Sequence, residues 1–139
     1  TDLDFGSDAR ACVVQGGILE DPYTDTTIVF QRGEQTSAAV QIDHVVALAN
    51  GWRSGAWQWN AEDRLRFAND PLNLLAVEGA ANQVKGASTA DQWLPDNKGY
   101  RCDYAARQVA VKYKWNLTVT RDEQQALNGV LKDCPSITF

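Results

Sequence analysis

Residues 40–48 constrain the fold most, because they form an apolar run, VQIDHVVAL, that carries a charged pair. The apolar positions predict a mostly buried strand that reaches Leu48. The only histidine of the chain, His44, follows Asp43 inside it. Neighbouring side chains of a regular strand point to opposite faces. Asp43 and His44 could therefore serve one site only at a strand end or at a bulge.

Short apolar segments separated by turn residues predict an α+β chain. A turn at residues 21–24 leads into a β-branched strand at residues 26–30, and the next extended segments are expected at residues 36–48 and 72–77. Asn60 is a helix N-cap for the segment that Pro71 ends, and a further short helix begins at Gly79. Two packed helices are expected to follow, at residues 100–115 and after the capping box that runs from Thr120 to Glu123.

Composition indicates one domain with a core. The chain has 139 residues, of which 44% are hydrophobic and five are tryptophan, and about 68% of the unfolded surface is buried in a chain of this size. No apolar run approaches the ~20 residues of a membrane helix. The net charge is −5, so broad electrostatic binding of phosphates is disfavoured and nucleic acid would need a local basic cluster.

The three cysteines do not have the close pairs of a zinc site. Cys102 and Cys134 lie at the outer ends of the two consecutive helices, so a disulfide is expected if these helices fold back on each other. It would stabilise the fold by about 3–4 kcal/mol; the alternative is two buried free thiols. Cys12 is left over, which suggests that residues 1–139 form a single domain that lacks an N-terminal segment carrying its partner.

Three tryptophans, Trp52, Trp57 and Trp59, cluster between the second and third strands. We expect them to pack in the core. Stacking on a nucleic-acid base is the alternative for Trp52 or Trp57.

Three pieces in order, IDHVVAL, LNLLAV and NQVKG, resemble the HNH endonucleases. Other pieces, DPYT, QWLP and YRCDYAARQVAVKY, resemble a branch of small secreted bacterial HNH proteins related to the nuclease part of GmrSD-type restriction enzymes. With them the resemblance spans nearly the whole chain. It implies a ββα-metal core with an inserted short helix and two C-terminal helices packed on it.

The resemblance also implies roles for five residues. Asp43 and Asn82 would hold a divalent cation, and His44 would be the general base that takes a proton from the attacking water. Asn73 would brace the loop between the two strands and help to orient His44. Lys85 would contact a phosphate. More widely, the candidate phosphate contacts are Arg53, Arg64, Arg66, Lys85, Lys98 and Arg101.

These roles agree with elementary chemistry. An imidazole has an ordinary pKa of ~6.5 and suits a general base near neutral pH. Oxygen ligands suit Mg²⁺ or Mn²⁺. HNH proteins that cut DNA often carry another acidic group two residues before the second ligand, where this chain has Ala80. The resemblance thus implies a secreted, metal-dependent endonuclease that acts on nucleic acid, on DNA rather than RNA, and not at a membrane.

Two other functions are compatible with the same residues. The chain could be a nucleic-acid-binding or partner-binding domain that keeps the scaffold and has lost cleavage. It could also be a secreted structural domain with a buried His44. That last reading predicts that Asp43 and His44 point to opposite faces without a shared cavity.

Overall fold

The structure is a computed structural model that describes residues 2–5, 14–31, 39–137 and 139. Within these residues, the chain forms two small antiparallel sheets and five α-helices, as the α+β prediction requires. The strands are β1 (Asp2–Phe5), β2 (Val14–Glu20), β3 (Thr27–Gln31), β4 (Val40–His44) and β5 (Leu74–Glu78). The helices are α1 (Leu48–Arg53), α2 (Ala61–Ala68), α3 (Gly79–Lys85), α4 (Arg101–Lys114) and α5 (Arg121–Leu131).

The first sheet has the order β1-β2-β3, and the predicted turn closes its β2–β3 hairpin. The carboxylate of Asp21 organises that turn, because it accepts hydrogen bonds from the backbone N–H of Thr24 at 3.0 Å and from that of Glu78 at 2.9 Å. Since Glu78 ends β5, the same carboxylate fastens the hairpin turn to the second sheet. Tyr23, within the turn, is thereby held against the core.

The second sheet pairs β4 with β5, with His44 opposite Leu74. The predicted strand to Leu48 is wrong, because β4 ends at His44 and Leu48 begins α1. The prediction that the apolar residues of this run are mostly buried is only partly correct. Val45 and Val46 are buried, whereas Ile42 is 51% exposed and Leu48 is 46% exposed.

The loop between β4 and β5 carries α1 and α2. The predicted cap of α2 is present, since the Asn60 side chain accepts a hydrogen bond from the Asp63 N–H at 2.8 Å. Gly51 of α1 lies so close to the Phe67 ring of α2 that a Cβ at position 51 would be 2.8 Å from that ring. The two helices therefore pack at close range, over a core cluster that includes Phe67 and Val111.

The C-terminal helices pack as predicted. α5 starts at the predicted capping box of Thr120 and Glu123, and Glu123 also pairs with Lys112 of α4 at 2.8 Å, with both side chains buried. The predicted disulfide joins Cys102 to Cys134, whose Cα atoms are 5.7 Å apart. In contrast, the expectation for Cys12 lies outside the described residues. Of the helices in the described ranges, none has the length and hydropathy needed to span a membrane.

Candidate functional site

The loop that follows β4 is held by Asn73, which is fully buried. Its side-chain amide donates to the Val46 carbonyl at 3.0 Å, and its side-chain oxygen accepts from the Val46 N–H at 2.7 Å. Its backbone carbonyl accepts from the Val45 N–H at 2.9 Å. Asn73 therefore replaces the ladder partner that the chain loses where β4 ends. This bracing fixes the exit of the chain from His44.

Asn73 is itself positioned by Asp70, which caps the short 3₁₀ turn Pro71–Asn73. The Asp70 carboxylate accepts hydrogen bonds from the Trp115 indole at 2.8 Å and from the Lys114 ammonium at 2.9 Å. Burial alone would raise the pKa of this carboxyl, but the hydrogen bonds from Lys114, Trp115 and the Leu72 N–H together hold the pKa below its ordinary value. Asp70 thus ties the loop before β5 to the end of α4.

His44 is the last residue of β4 and is partly buried. Its Nε2 lies 2.8 Å from the backbone carbonyl of Ala68, at the end of α2. A carbonyl oxygen can only accept a hydrogen bond, so Nε2 must carry the proton in this contact. In the neutral ring Nδ1 then holds the lone pair. No side chain or backbone group of the described residues hydrogen-bonds to Nδ1.

Asp43 points to the other face of β4 and is 5% exposed. The Lys85 ammonium lies 3.1 Å from its Oδ1 and 3.0 Å from its Oδ2, and the Tyr23 hydroxyl donates to Oδ2 at 2.5 Å. Both carboxylate oxygens are therefore engaged by donors. The side chains of Asp43 and His44 therefore lie in different environments, as the alternation of side chains along a regular strand predicts.

Lys85 differs from its expected role as a phosphate contact, because its side chain is completely buried. Besides Asp43, its ammonium contacts the backbone carbonyl of His44 at 2.9 Å. Burial lowers the pKa of Lys85, and the Asp43 carboxylate opposes that shift. Lys85 thus links the two neighbouring residues of β4, from the carboxylate of one to the carbonyl of the other.

Tyr23 is the site residue that the sequence did not reveal. Burial raises the pKa of the Tyr23 hydroxyl, and the neighbouring Asp43 carboxylate raises it further. The hydroxyl therefore stays protonated and donates a hydrogen bond to Asp43. The ring packs edge-on against Trp93 and Tyr104, with centroid distances of 5.0 and 5.7 Å. Tyr23 lies 20 residues before Asp43, in the turn between β2 and β3, and no periodic pattern links the two positions.

Asn82 faces a different partner from Asp43. Its side-chain amide donates to Gln41 Oε1 at 2.9 Å. Since Lys85 lies one helical turn further along α3 and contacts Asp43, α3 runs alongside β4 and places each residue against a different strand position. The lysine, rather than the asparagine, meets the carboxylate.

The surroundings of Asp43 and Asn82 do not match those that the expected cation needs. Mg²⁺ needs several oxygen ligands at about 2.0–2.1 Å and keeps some of its waters. The Asp43 oxygens instead hold an ammonium and a hydroxyl, and the Asn82 amide is directed at Gln41. In the described residues no group of three His, Cys, Asp or Glu side chains could hold a metal. As arranged here, Asp43 and Asn82 do not form a divalent-cation site.

The segment between β4 and β5 carries basic and aromatic side chains. Arg66 is neutralised by Glu62 at 2.8 Å and Asp63 at 3.3 Å. Arg64 instead contacts an aromatic ring, with its guanidinium carbon 5.2 Å from the centre of the Trp52 ring. Trp59 packs in the core as expected, edge-on against Phe67 and tilted against Trp115. The same expectation is wrong for Trp52 and Trp57, which are 50% and 57% exposed.

Two comparisons place these features among known proteins. Residues 3–130 match the family described as GmrSD restriction endonucleases, C-terminal domain. An uncharacterized secreted protein of Arthroderma benhamiae is 36% identical to this chain over 126 residues. That match covers 89% of this chain but only 59% of the relative. The chain therefore spans less than two thirds of the length of the protein that it resembles.

Proposed function

Since this chain belongs to the family of the C-terminal domain of GmrSD restriction endonucleases, we propose that it is a nuclease domain that hydrolyses phosphodiester bonds of nucleic acid, with His44 as the general base. The order β4, β5, α3 supports a ββα core of the HNH type, with α1 and α2 inserted between the strands and α4 and α5 packed behind. The family name supports a nucleic-acid substrate, and we propose DNA rather than RNA.

One observation carries this proposal: the contact of His44 Nε2 with the Ala68 carbonyl at 2.8 Å. It selects the tautomer in which Nδ1 is the basic nitrogen. A water beside Nδ1 gives its proton to that nitrogen while its oxygen forms a bond to phosphorus, and the bond from phosphorus to the leaving oxygen breaks. The resulting imidazolium donates a stronger, charge-assisted bond to the Ala68 carbonyl. The contact thus both orients the base and stabilises its protonated form.

Asn73 acts in this mechanism as a positioning residue. By fixing the backbone of Val45 and Val46, it sets the direction in which the chain leaves His44. Lys85 fixes the other side of the same residue, through the His44 carbonyl. The imidazole is therefore held by the end of α2, and the backbone around it by α3 and the turn before β5. This restraint reduces the entropy lost in reaching the reactive geometry.

The cofactor remains a prediction of the HNH resemblance, namely Mg²⁺ or Mn²⁺ held by Asp43 and Asn82. The geometry of those two residues does not supply the ligands, so no step is assigned to the ion. A cation requirement would mean that Lys85 and Tyr23 withdraw from Asp43 when the ion binds. Cleavage assays in Mg²⁺, in Mn²⁺ and in excess chelator measure that requirement directly.

We further propose that the domain acts outside the cell. The relative from Arthroderma benhamiae is named as a secreted protein, and the Cys102–Cys134 disulfide fits an oxidising compartment.

A specific observation favours a second candidate, a nucleic-acid-binding domain without cleavage. The Asp43 carboxylate is closed by Lys85 and Tyr23, and a buried, fully paired carboxylate is also what a purely structural residue would show. That candidate predicts binding of nucleic acid with no strand scission under any cation condition.

The deciding experiment incubates supercoiled plasmid with the wild-type chain, with His44→Ala and with Gln83→Ala. Gln83 is an exposed residue of α3 and serves as the control. We expect His44→Ala to lower the nicking rate by about 100- to 10,000-fold, with an unchanged far-ultraviolet circular dichroism spectrum. Nicking by His44→Ala at the wild-type rate would contradict the role of His44. A wild-type chain that binds plasmid and never nicks it would favour the binding domain.

A further inference from the structure

Trp52 is an exposed aromatic residue of α1, and a guanidinium covers one of its faces. The Arg64 guanidinium carbon is 5.2 Å from the ring centre, and half of the Trp52 surface remains exposed. Arg64 does not swing freely, since its Nη1 donates to the backbone carbonyl of Trp59. The pair is thus a rigid, flat surface with a cation on the inner side.

This pair is linked to the proposed general base through α2. Arg64 precedes Ala68 by four residues in α2, which corresponds to about 6 Å along a helix axis, and Ala68 supplies the carbonyl that His44 contacts. The close packing of Gly51 on Phe67 fixes α1 against α2 at the residue next to Trp52. The Trp52–Arg64 pair and His44 therefore belong to one rigid assembly of α1, α2 and the end of β4.

The surroundings favour stacking over phosphate binding. Arg66 on the same helix is already paired with Glu62 and Asp63, and the whole chain carries a charge of −5. A strand of nucleic acid would therefore gain little from broad electrostatic attraction. Stacking on an aromatic ring remains available, because every base has a π-face, and the partly buried Arg64 guanidinium over the indole adds a cation–π contribution.

We propose that the Trp52–Arg64 pair is a stacking platform for one unpaired base of the nucleic-acid substrate. The proposal rests on the proposed function, and it names the substrate form more narrowly: a strand that is single or locally unpaired beside the scissile phosphate. The base stacks on the exposed face of Trp52, on the same assembly of α1, α2 and the end of β4 that holds His44.

The test measures binding, so that it does not depend on cleavage. Fluorescence anisotropy of a labelled 12-residue oligothymidine is titrated with His44→Ala, which prevents turnover, and with the double variants that add Trp52→Ala, Trp52→Phe or Trp57→Ala. Trp57 is the matched control, because it is equally exposed and in the described residues no guanidinium covers its ring. Melting curves verify that each variant folds. A uridine oligomer and a fully paired, blunt-ended DNA duplex are titrated in parallel.

We expect Trp52→Ala to weaken oligothymidine binding by about tenfold, while Trp52→Phe retains most of the affinity and Trp57→Ala changes it little. Binding of the fully paired duplex should respond to none of these changes, and the uridine oligomer tells whether the platform distinguishes DNA from RNA. Equal affinity of the Trp52→Ala and Trp57→Ala variants would overturn the platform, as would a lack of oligothymidine binding by all of them. The nicking assay decides the nuclease proposal separately, because it uses a different substrate and readout.

Discussion

The ammonium of Lys85 lies 3.1 Å from Oδ1 and 3.0 Å from Oδ2 of Asp43, and neither side chain is appreciably exposed. This pair occupies the position at which the HNH resemblance places a divalent cation. Removing one member of a buried ion pair leaves an uncompensated charge, which costs more than the pair contributes when it is intact.

A double-mutant cycle measures this coupling. We expect Lys85→Met and Asp43→Leu each to lower the free energy of unfolding by about 3–5 kcal/mol, and the double variant to lose clearly less than the sum of the two. Urea titration at pH 7 provides the values, with Lys98→Met as the control because Lys98 is exposed. Strictly additive losses would mean that the two charges do not compensate each other.

Asn73 is the second target, because its amide saturates both backbone groups of the buried Val46. Replacement by Ala leaves a donor and an acceptor unpaired, at about 1–3 kcal/mol for each group. We expect Asn73→Ala to lower both the unfolding midpoint and the nicking rate, since the exit of the chain from His44 loosens. Asn69→Ala, at an exposed position one turn earlier, should leave the nicking rate unchanged. If Asn73→Ala were destabilised but nicked plasmid at the wild-type rate when measured well below its melting temperature, the positioning role would be disproved.

Asp70 predicts a pH dependence of stability. Its pKa is lower in the folded chain than the ~3.9 of an unperturbed aspartate. Its stabilisation is therefore complete above about pH 4 and is lost as the pH falls through the folded value. The stability gap between wild type and Asp70→Asn, measured by thermal unfolding from pH 6 to pH 2, should narrow at the acidic end. A gap of constant size would refute the linkage, and Asp133→Asn at an exposed position serves as the control.

Gly51 tests the packing that supports the stacking platform. A methyl group at position 51 would lie 2.8 Å from the buried Phe67 ring, so α1 or the ring must move. We expect Gly51→Ala to destabilise the fold by about 1–3 kcal/mol, the usual range for overpacking. Thermal unfolding of Gly51→Ala beside Gly129→Ala makes the comparison, since a Cβ at Gly129 would meet nothing within 4 Å. Equal melting temperatures of the two variants would show that α1 moves away from Phe67 without loss of stability.

Local signals in the sequence predicted local structure. The Asn60 cap, the Thr120 capping box and the turn after β2 are set by residues within four positions of each other, and each is present. Strand β2 was not expected, because Gly16 and Gly17 lower strand propensity while their backbones still pair with β1 and β3. The disulfide could be predicted because two consecutive helices leave few ways to pack.

The site was only partly predictable, for a physical reason. Asn-x-x-Lys looks the same in sequence whether the lysine is solvated or, as here, buried against a carboxylate 42 positions earlier. The overestimated length of β4 has the same origin, since Val45 and Val46 are apolar as in a strand but take their hydrogen bonds from Asn73, 27 positions away from Val46. A hydrophobic pattern indicates which residues are buried. It does not indicate which group hydrogen-bonds to their backbone N–H and carbonyl groups.

The hydroxyl of Tyr23 reaches Asp43 from the hairpin of the first sheet, and this has a consequence for any attempt to define a minimal fragment. A polypeptide trimmed to start at β4 would retain His44, Asn73 and Asn82, yet it would lose the Tyr23 hydroxyl that donates to Asp43 and the Tyr23 ring that fills the core. Such a fragment should purify as an unstable or misfolded species, although every motif residue is still encoded. Engineering of smaller versions must therefore carry the β2–β3 hairpin along.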